Sequence, residues 1–211
     1  MIQGIIPAAG KALRWGGFYK EFLPISEGTT SLDYTIQAML NAGVETFLVV
    51  TNSDKIQEHA RHFDKRYKNI KVKFILQGKL ELIGAINSAL EYQEEINIFA
   101  MPDTIYEFDS LKRGLELLKS SHAPFVTGLF KTDLPDRFGC LIEDKFVDKP
   151  KNLPKGEYNA WGSFVFTKAS SADTLDDFMN KNNTNIFYDI QFYMDLANFS
   201  EYKRFLCGGN V

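Results

Sequence analysis

The chain has 211 residues, 45% hydrophobic and 24% charged, a balance that suits one ordinary globular core without disulfide or metal staples. Its 24 Lys and Arg against 27 Asp and Glu leave a formal net charge of −3 with no basic block, which argues against a nucleic-acid partner held through neutralised phosphates. Two cysteines, Cys140 and Cys207, make no disulfide framework and lack zinc-site spacing, so a reducing compartment is expected.

The opening Met1–Pro7 run has no basic flank and breaks at Gly10-Lys11, and no stretch of about 18 uncharged apolar residues follows. The expectation is a cytoplasmic chain with no membrane partner, forming a single domain over residues 1–211. Short β-branched and aromatic runs predict strands at Gln3–Pro7, Thr46–Thr51, Val72–Leu76 and Ile96–Met101. Apolar residues at three- and four-residue spacing predict helices at Leu32–Ala42, Asp54–Tyr67 and Leu82–Tyr92. Ser31 and Asp33 fit the start of the first helix and Gly43 its stop, while Leu32, Ile36, Met39 and Leu40 form its apolar stripe. A helix at Asp109–Ser120 and a strand at Pro124–Phe130 come next. From Pro135 the pattern shifts to short, turn-linked runs, Phe138–Ile142, Lys145–Val147 and Ala160–Phe166, read as antiparallel strands added to the sheet, with Lys149–Pro154 a loop. Thr174–Phe199 reads as two helices broken at Asn182-Asn183, its aromatic residues assigned to the core. Strands alternating with helices imply a three-layer α/β fold with a mixed, mainly parallel sheet. No repeat or linker is visible.

The most informative stretch runs from Pro7 to Pro24. It holds Lys11, Arg14 and Lys20 against the single Glu21, and its small residues Ala8, Ala9 and Gly10 let a polyanion approach the backbone N–H groups. Two common phosphate loops do not fit. Lys11 is followed by Ala12 rather than by a hydroxyl residue, and no helix starts directly after the first strand.

This stretch resembles the signature of the sugar-nucleotidyltransferase (nucleoside-diphosphate-sugar pyrophosphorylase) family, G-x-G-x-R followed by a P-K-x-L-x-P-like segment. Gly10, Ala12, Arg14 and Lys20–Pro24 stand at its positions, with Ala12 in place of a glycine. Ile98–Asp103 matches the middle G/P-D motif, Phe138-Gly139-Cys140 a "Y-G-V" turn, Asp148-Lys149-Pro150 an E-K-P loop, and Tyr158–Phe166 the glycine-containing strand that follows. Each motif alone is weak; their shared order is specific. The resemblance implies a GT-A-like (Rossmann-like) fold and condensation of an NTP with a phosphorylated acceptor, usually a sugar 1-phosphate, to give an NDP-sugar and pyrophosphate. It further implies catalytic roles for Arg14, Lys20, Asp103 and Lys149, with Asp103 holding Mg²⁺. Ala8, Ala9, Gly10, Lys11 and Gln77 would bind the nucleotide, and Gly139, Asp148 and Trp161 the acceptor.

The chemistry fits the inventory. A phosphate monoester, with a second pKa near 6, is already a nucleophile at neutral pH, so no general base and no Ser/His/Asp constellation is required. Holding two polyanions together and neutralising the departing charge is the whole task. The plain alternative for Arg14, Lys20 and Lys11 is exposed loop charge; for Asp103, a turn cap; for Gln77, a surface side chain.

Departures from the family pattern keep alternatives open. The family has a second metal-binding aspartate just beyond a late strand, and Tyr202–Val211 reads as the strand leading to that turn. Either one carboxylate holds the metal with phosphates and water, or the sequence is a fragment, or another acid such as Asp189 substitutes. Glu81 stands at a glycine position of the base-binding segment, leaving the nucleobase open. Asp148 replaces the usual Glu, leaving the acceptor open to a phosphorylated alcohol such as phosphocholine. A glycosyltransferase would need a D-x-D pair, which Asp103-Thr104-Ile105 does not supply, and a noncatalytic nucleotide- or sugar-sensing subunit is the alternative from another class. His59 and His62, flanked by Glu58 and Arg61, read as a solvated helix face rather than a metal pair, and a homo-oligomer is compatible with all of this.

Overall fold

The computed structural model describes residues 1–11, 15–196 and 198–208. In chain order they form β1 (Ile2–Pro7), β2 (Pro24–Ser26), β3 (Thr29–Thr30), α1 (Ser31–Asn41), β4 (Thr46–Thr51), α2 (Ile56–Arg66) and β5 (Lys71–Leu76). Next come α3 (Glu81–Leu90), β6 (Ile96–Ala100), β7 (Thr104–Tyr106), α4 (Ser110–Ser121), β8 (Phe125–Thr132), β9 (Gly139–Ile142), β10 (Lys145–Asp148) and β11 (Tyr158–Phe166). Last are α5 (Leu175–Asn182), β12 (Phe187–Asp189), β13 (Tyr193–Asp195) and α6 (Phe199–Leu206).

The central sheet has the order β10-β9-β11-β6-β1-β4-β5, with β8 on the other edge of β11 and β12 beyond it. β1 pairs in parallel with β4 and β6, and β4 with β5, so crossover helices must cover both faces. Side chains alternate accordingly. Ile6, Phe47, Val49 and Ile98 meet α1, α2 and α4 on one face, while Ile5, Leu48, Val50 and Phe99 meet α3 and α5 on the other. On the second face Phe99 stacks on Phe164 with centroids 4.4 Å apart, and Phe125, Phe166 and Phe178 close around that pair. Deleting a ring so buried costs about 3–5 kcal/mol.

β11 decides where the cleft opens. Along one edge it pairs with β6 through residues 163–166, then with β9 through Asn159 and Ala160. At the changeover the register against β8 slips between Trp161 and Ser163, a bulge that adds local bend and twist. β6 therefore ends where β9 begins, and Met101-Pro102-Asp103 leaves the sheet at that gap.

Several expectations change. The helix cap of α1 is Thr30: its hydroxyl accepts from Asp33 N–H (3.2 Å) and Asp33 Oδ2 accepts from Thr30 N–H (2.9 Å). Ser31 instead turns inward, donating to the carbonyls of Lys20 (3.1 Å) and Glu21 (3.0 Å). Leu40 lies on the exposed side of its helix, 37% accessible. Beyond Asn182 there is no second helix through Phe199 but β12 and β13, because Tyr188 drops between Gly114 and Gly128, where no side chain could coexist with its ring. Phe199 is exposed, and the stretch expected to be strand from Tyr202 instead continues α6 (Phe199–Leu206), its last residues 209–211 lying outside the described residues. His59 is fully buried and His62 nearly so, because both answer buried carboxylates rather than water. Cys140 and Cys207 are both free thiols.

Candidate functional site

Two cavities of about 700 Å³ and 690 Å³ lie outside the carboxyl ends of the parallel strands, where ligands of open α/β sheets bind. They share Lys20, Glu81, Leu82, Met101 and Asp103, so they are two halves of one cleft.

Ala8, Ala9, Gly10 and Lys11 line the first half. Their backbone is tied down from beneath. Ala8 N–H donates to Val50 O (2.7 Å), the Asn52 amide donates to Ala9 O (2.7 Å), and Lys55 Nζ reaches Ala8 O (3.4 Å). In a trans peptide the N–H points opposite to the preceding C=O. Anchoring the Ala8 and Ala9 carbonyls in the protein thus turns the N–H groups of Ala9 and Gly10 toward the cavity, an anion-binding arrangement. Arg14 lies outside the described residues. Trp15 closes this half, its Nε1 donating to Leu196 O (3.2 Å) while its ring packs edge-on against Tyr202. Leu80, Leu82, Ala85 and Pro102 give an apolar wall, and Gln77 stands beside them with its Nε2 donating to Glu81 O (2.5 Å).

Lys20 sits in a short 3-10 turn, Lys20–Phe22, that Ser31 fixes through both carbonyls. Its Nζ donates to Asp103 Oδ2. Burial works against the Lys20 ammonium, but the Asp103 carboxylate, with Asp195 and Glu21 adding, outweighs it and holds its pKa above the ordinary lysine value. The next residue faces inward. Glu21 accepts from Lys55 Nζ (2.8 Å) and faces His59 Nε2 (3.1 Å), whose Nδ1 meets Thr51 Oγ1 (2.9 Å). Burial opposes charge on Glu21, yet the hydrogen bonds from His59 and Lys55 keep its carboxyl below the usual range. This buried network joins the Lys20 turn, α2 and the carbonyl of Ala8. It was not visible in the sequence, since Lys55 and His59 lie on a segment whose polarity reads as solvated.

The second half is lined by Arg137, Gly139, Asp148, Lys149, Trp161 and Tyr193, among others. Gly139 is required by contact: a Cβ there would overlap Trp161 Nε1. Lys149 reaches Asp148 Oδ2 at 3.6 Å. Asp148 is pushed up by burial; Lys149 opposes this, and the neighbouring carboxylates of Asp176 and Glu81 add to it.

Asp195 is the residue sequence reasoning missed. β13 pairs antiparallel with β7 so that Asp195 stands opposite Thr104, and Leu196 N–H donates to Asp103 O (3.0 Å). Asp195 therefore enters the cleft beside Asp103, with Arg137 Nη2 3.6 Å from its Oδ2. Asp189, the expected substitute, is exposed on β12 outside both cavities, its carbonyl taken by Arg113 (2.8 Å). The usable signal was Tyr193-Met194-Asp195, an acid closing a short aromatic run.

The molecule is thus an α/β protein with a ligand cleft at a point where its strand order switches. Residues 15–195 match the nucleotidyl transferase family model, and the chain belongs to that family as an enzyme of nucleotidyl transfer. Its structure is similar to that of a Bacillus anthracis protein assigned as a glucose-1-phosphate thymidylyltransferase and crystallised with sucrose. The TM-score is 0.83 at 16% identity, over 98% of this chain and 94% of the other. No curated protein matches the sequence. Among the described residues no helix is long and apolar enough to cross a membrane.

Proposed function

We propose that this enzyme condenses an NTP with a phosphate monoester, in the family manner a sugar 1-phosphate, releasing pyrophosphate. The observation that supports the reading most is the continuity of the cleft. Lys20 and Asp103 belong to both halves, so a triphosphate on the Ala8–Lys11 backbone and a phosphate beside Lys149 would meet at one point.

An oxygen of the acceptor phosphate attacks the α-phosphorus in line; the bond to the β-phosphate oxygen breaks and pyrophosphate departs with that electron pair. The attacking phosphate is largely dianionic at neutral pH, so no base removes a proton. The Ala9 and Gly10 N–H groups and Lys11 hold the triphosphate. Lys20 exchanges Asp103 for the α-phosphate as substrate enters, and Lys149 leaves Asp148 for the incoming phosphate. Each charge-assisted hydrogen bond is worth about 1.5–3 kcal/mol. Gln77 faces the base and Gly139 leaves room for the acceptor against Trp161.

Asp103, immediately before β7, and Asp195, the last residue of β13, are hard oxygen donors that would suit Mg²⁺, with substrate and water supplying its other ligands. When bound, Mg²⁺ would neutralise charge on the phosphates. A cytoplasmic site of action accords with free thiols at Cys140 and Cys207. The test is pyrophosphate release with each NTP against a panel of sugar 1-phosphates, with and without Mg²⁺. Turnover of at least one pair, abolished by Asp103→Asn, is expected. NTP binding with no release under any pairing would indicate a sensing subunit and refute the reading.

A further inference from the structure

The second half of the cleft carries more negative charge than a phosphate-binding site calls for. Among the described residues its lining holds six carboxylates, Glu81, Asp103, Asp148, Asp173, Asp176 and Asp195, against three cations, Lys20, Arg137 and Lys149. Each cation is already matched: Lys20 with Asp103, Arg137 with Asp195 at 3.6 Å, and Lys149 with Asp148 at 3.6 Å. Among the described residues Glu81, Asp173 and Asp176 have no cationic partner. Asp148 and Asp176 are pressed together, Asp176 Oδ1 accepting the Asp148 N–H at 2.5 Å. Once Lys149 turns to an incoming phosphate, all four carboxylates of this wall stand uncompensated.

An independent feature marks the same wall as built for a ligand. Trp161 lines the cavity and is only 7% exposed, yet its indole Nε1 has no acceptor among the described residues. A buried N–H without a partner costs about 1–3 kcal/mol, and this one lies against Gly139 in the cavity wall.

We propose that the acceptor is a phosphate monoester whose organic part carries a positive charge, an amine or quaternary ammonium seated against Glu81, Asp148, Asp173 and Asp176 while its phosphate faces Lys149. The inference rests on the nucleotidyl-transfer reading above and narrows its acceptor. A neutral sugar can donate hydroxyls to carboxylates, but it cannot remove their mutual repulsion; a protonated amine does both, and a quaternary ammonium, which has no N–H to donate, does the second. The shared chemistry covers an amino-alcohol phosphate and an amino-sugar 1-phosphate.

Both turnover and binding are measured. Pyrophosphate release is followed with phosphocholine, phosphoethanolamine, glucosamine 1-phosphate and glucose 1-phosphate, each with every NTP and Mg²⁺. Affinity for the same four is measured calorimetrically in the presence of a non-hydrolysable NTP analogue. At least one of the three cationic acceptors is expected to exceed glucose 1-phosphate by tenfold or more in kcat/KM and in affinity, and which one does so separates alcohol from sugar. Asp176→Asn, whose amide oxygen still accepts the Asp148 N–H, should raise the KM of the cationic acceptor severalfold and leave the KM of the NTP alone. Tight binding of a cationic acceptor without pyrophosphate release would refute transfer and keep the acceptor assignment. Glucose 1-phosphate equalling or surpassing all three, or no binding of any cationic acceptor, would overturn it.

Discussion

Replacing Lys55 by methionine tests the buried network beneath the Ala8–Lys11 segment. Side-chain exposures of 3% for Lys55, 4% for Glu21 and 0% for His59 mean that water cannot take over when one partner is lost. Breaking a buried pair by removing one member costs about 3–5 kcal/mol, because the other charge stays behind unpaired. His59 still faces Glu21, so the lower figure applies. In a chain of this size each kcal/mol lowers Tm by about 2–4 °C, giving a fall of about 6–12 °C. Lys55→Met combined with Glu21→Gln removes both charges, and the double variant should be less destabilised than the sum of the singles by about 1–3 kcal/mol. Urea unfolding of the four proteins of this cycle at pH 7 gives the free energies, and thermal unfolding gives the Tm. Lys55→Met also releases the Ala8 carbonyl, so the KM of the NTP should rise even well below Tm. A loss under 1 kcal/mol for the single variant, or strict additivity in the cycle, would refute the argument that these groups act as one buried unit.

Asp195→Asn should reduce pyrophosphate release by two orders of magnitude or more, as is expected of Asp103→Asn, with Tm shifted little since both side chains retain some solvent access; unchanged release would refute a metal-holding role for Asp195. Gly139→Ala forces its Cβ into the Trp161 indole and should destabilise by about 1–3 kcal/mol, while steady-state kinetics should show the acceptor KM rising more than the NTP KM. Asp33 accepts from His62 (2.8 Å), Tyr67 (2.7 Å) and Thr30, and although burial opposes its charge these bonds hold its pKa well below the ordinary aspartate value. Its folded pKa being depressed, the stability it supplies is complete above roughly pH 4 and is lost as pH falls below that toward the folded value. Urea midpoints measured from pH 6 to pH 2 should fall steeply, and Asp33→Asn should flatten the curve. Glu81 is held at φ 74°, a left-handed conformation that costs a side-chain-bearing residue about 1–2 kcal/mol; Glu81→Gly should therefore raise the unfolding midpoint even as it removes one carboxylate from the acceptor wall.

The elements most legible in the sequence were those whose pattern has one physical solution. β4 was read to its bounds, Thr46–Thr51, because a strand buried on both faces must be a continuous apolar run. The helices between parallel strands were placed within a residue or two for the same reason. The chain after Asn182 was misread because its strands are only three residues long, too short to show a period, and are fixed by tertiary pairing to β8 and β7. That error hid Asp195, whose place in the cleft depends on the β13–β7 ladder. The phosphate loop, Gln77, Asp103 and the Gly139–Lys149 region could be named from ordered motifs, and the fold brings all of them except Arg14, outside the described residues, to one cleft. The Glu21–Lys55–His59 network could not be, since its partners lie 34 and 38 residues apart and no local spacing reveals the contact.

Thr132, the last residue of β8, is paired with Tyr158, the first of β11. Everything between them, residues 133–157, leaves and re-enters the sheet through neighbouring positions, and it carries Arg137, Gly139, Asp148 and Lys149. Such an excursion can be exchanged for another of different length with little loop-closure penalty, since its two ends stay where the hairpin fixes them. The half of the cleft lined by Ala8–Lys11 draws no described residue from this excursion. The side of the cleft formed by Arg137, Gly139, Asp148 and Lys149 could thus be varied by swapping one cassette joined at Thr132 and Tyr158, while Glu81, Asp173 and Asp176 stay in place on the rest of the fold.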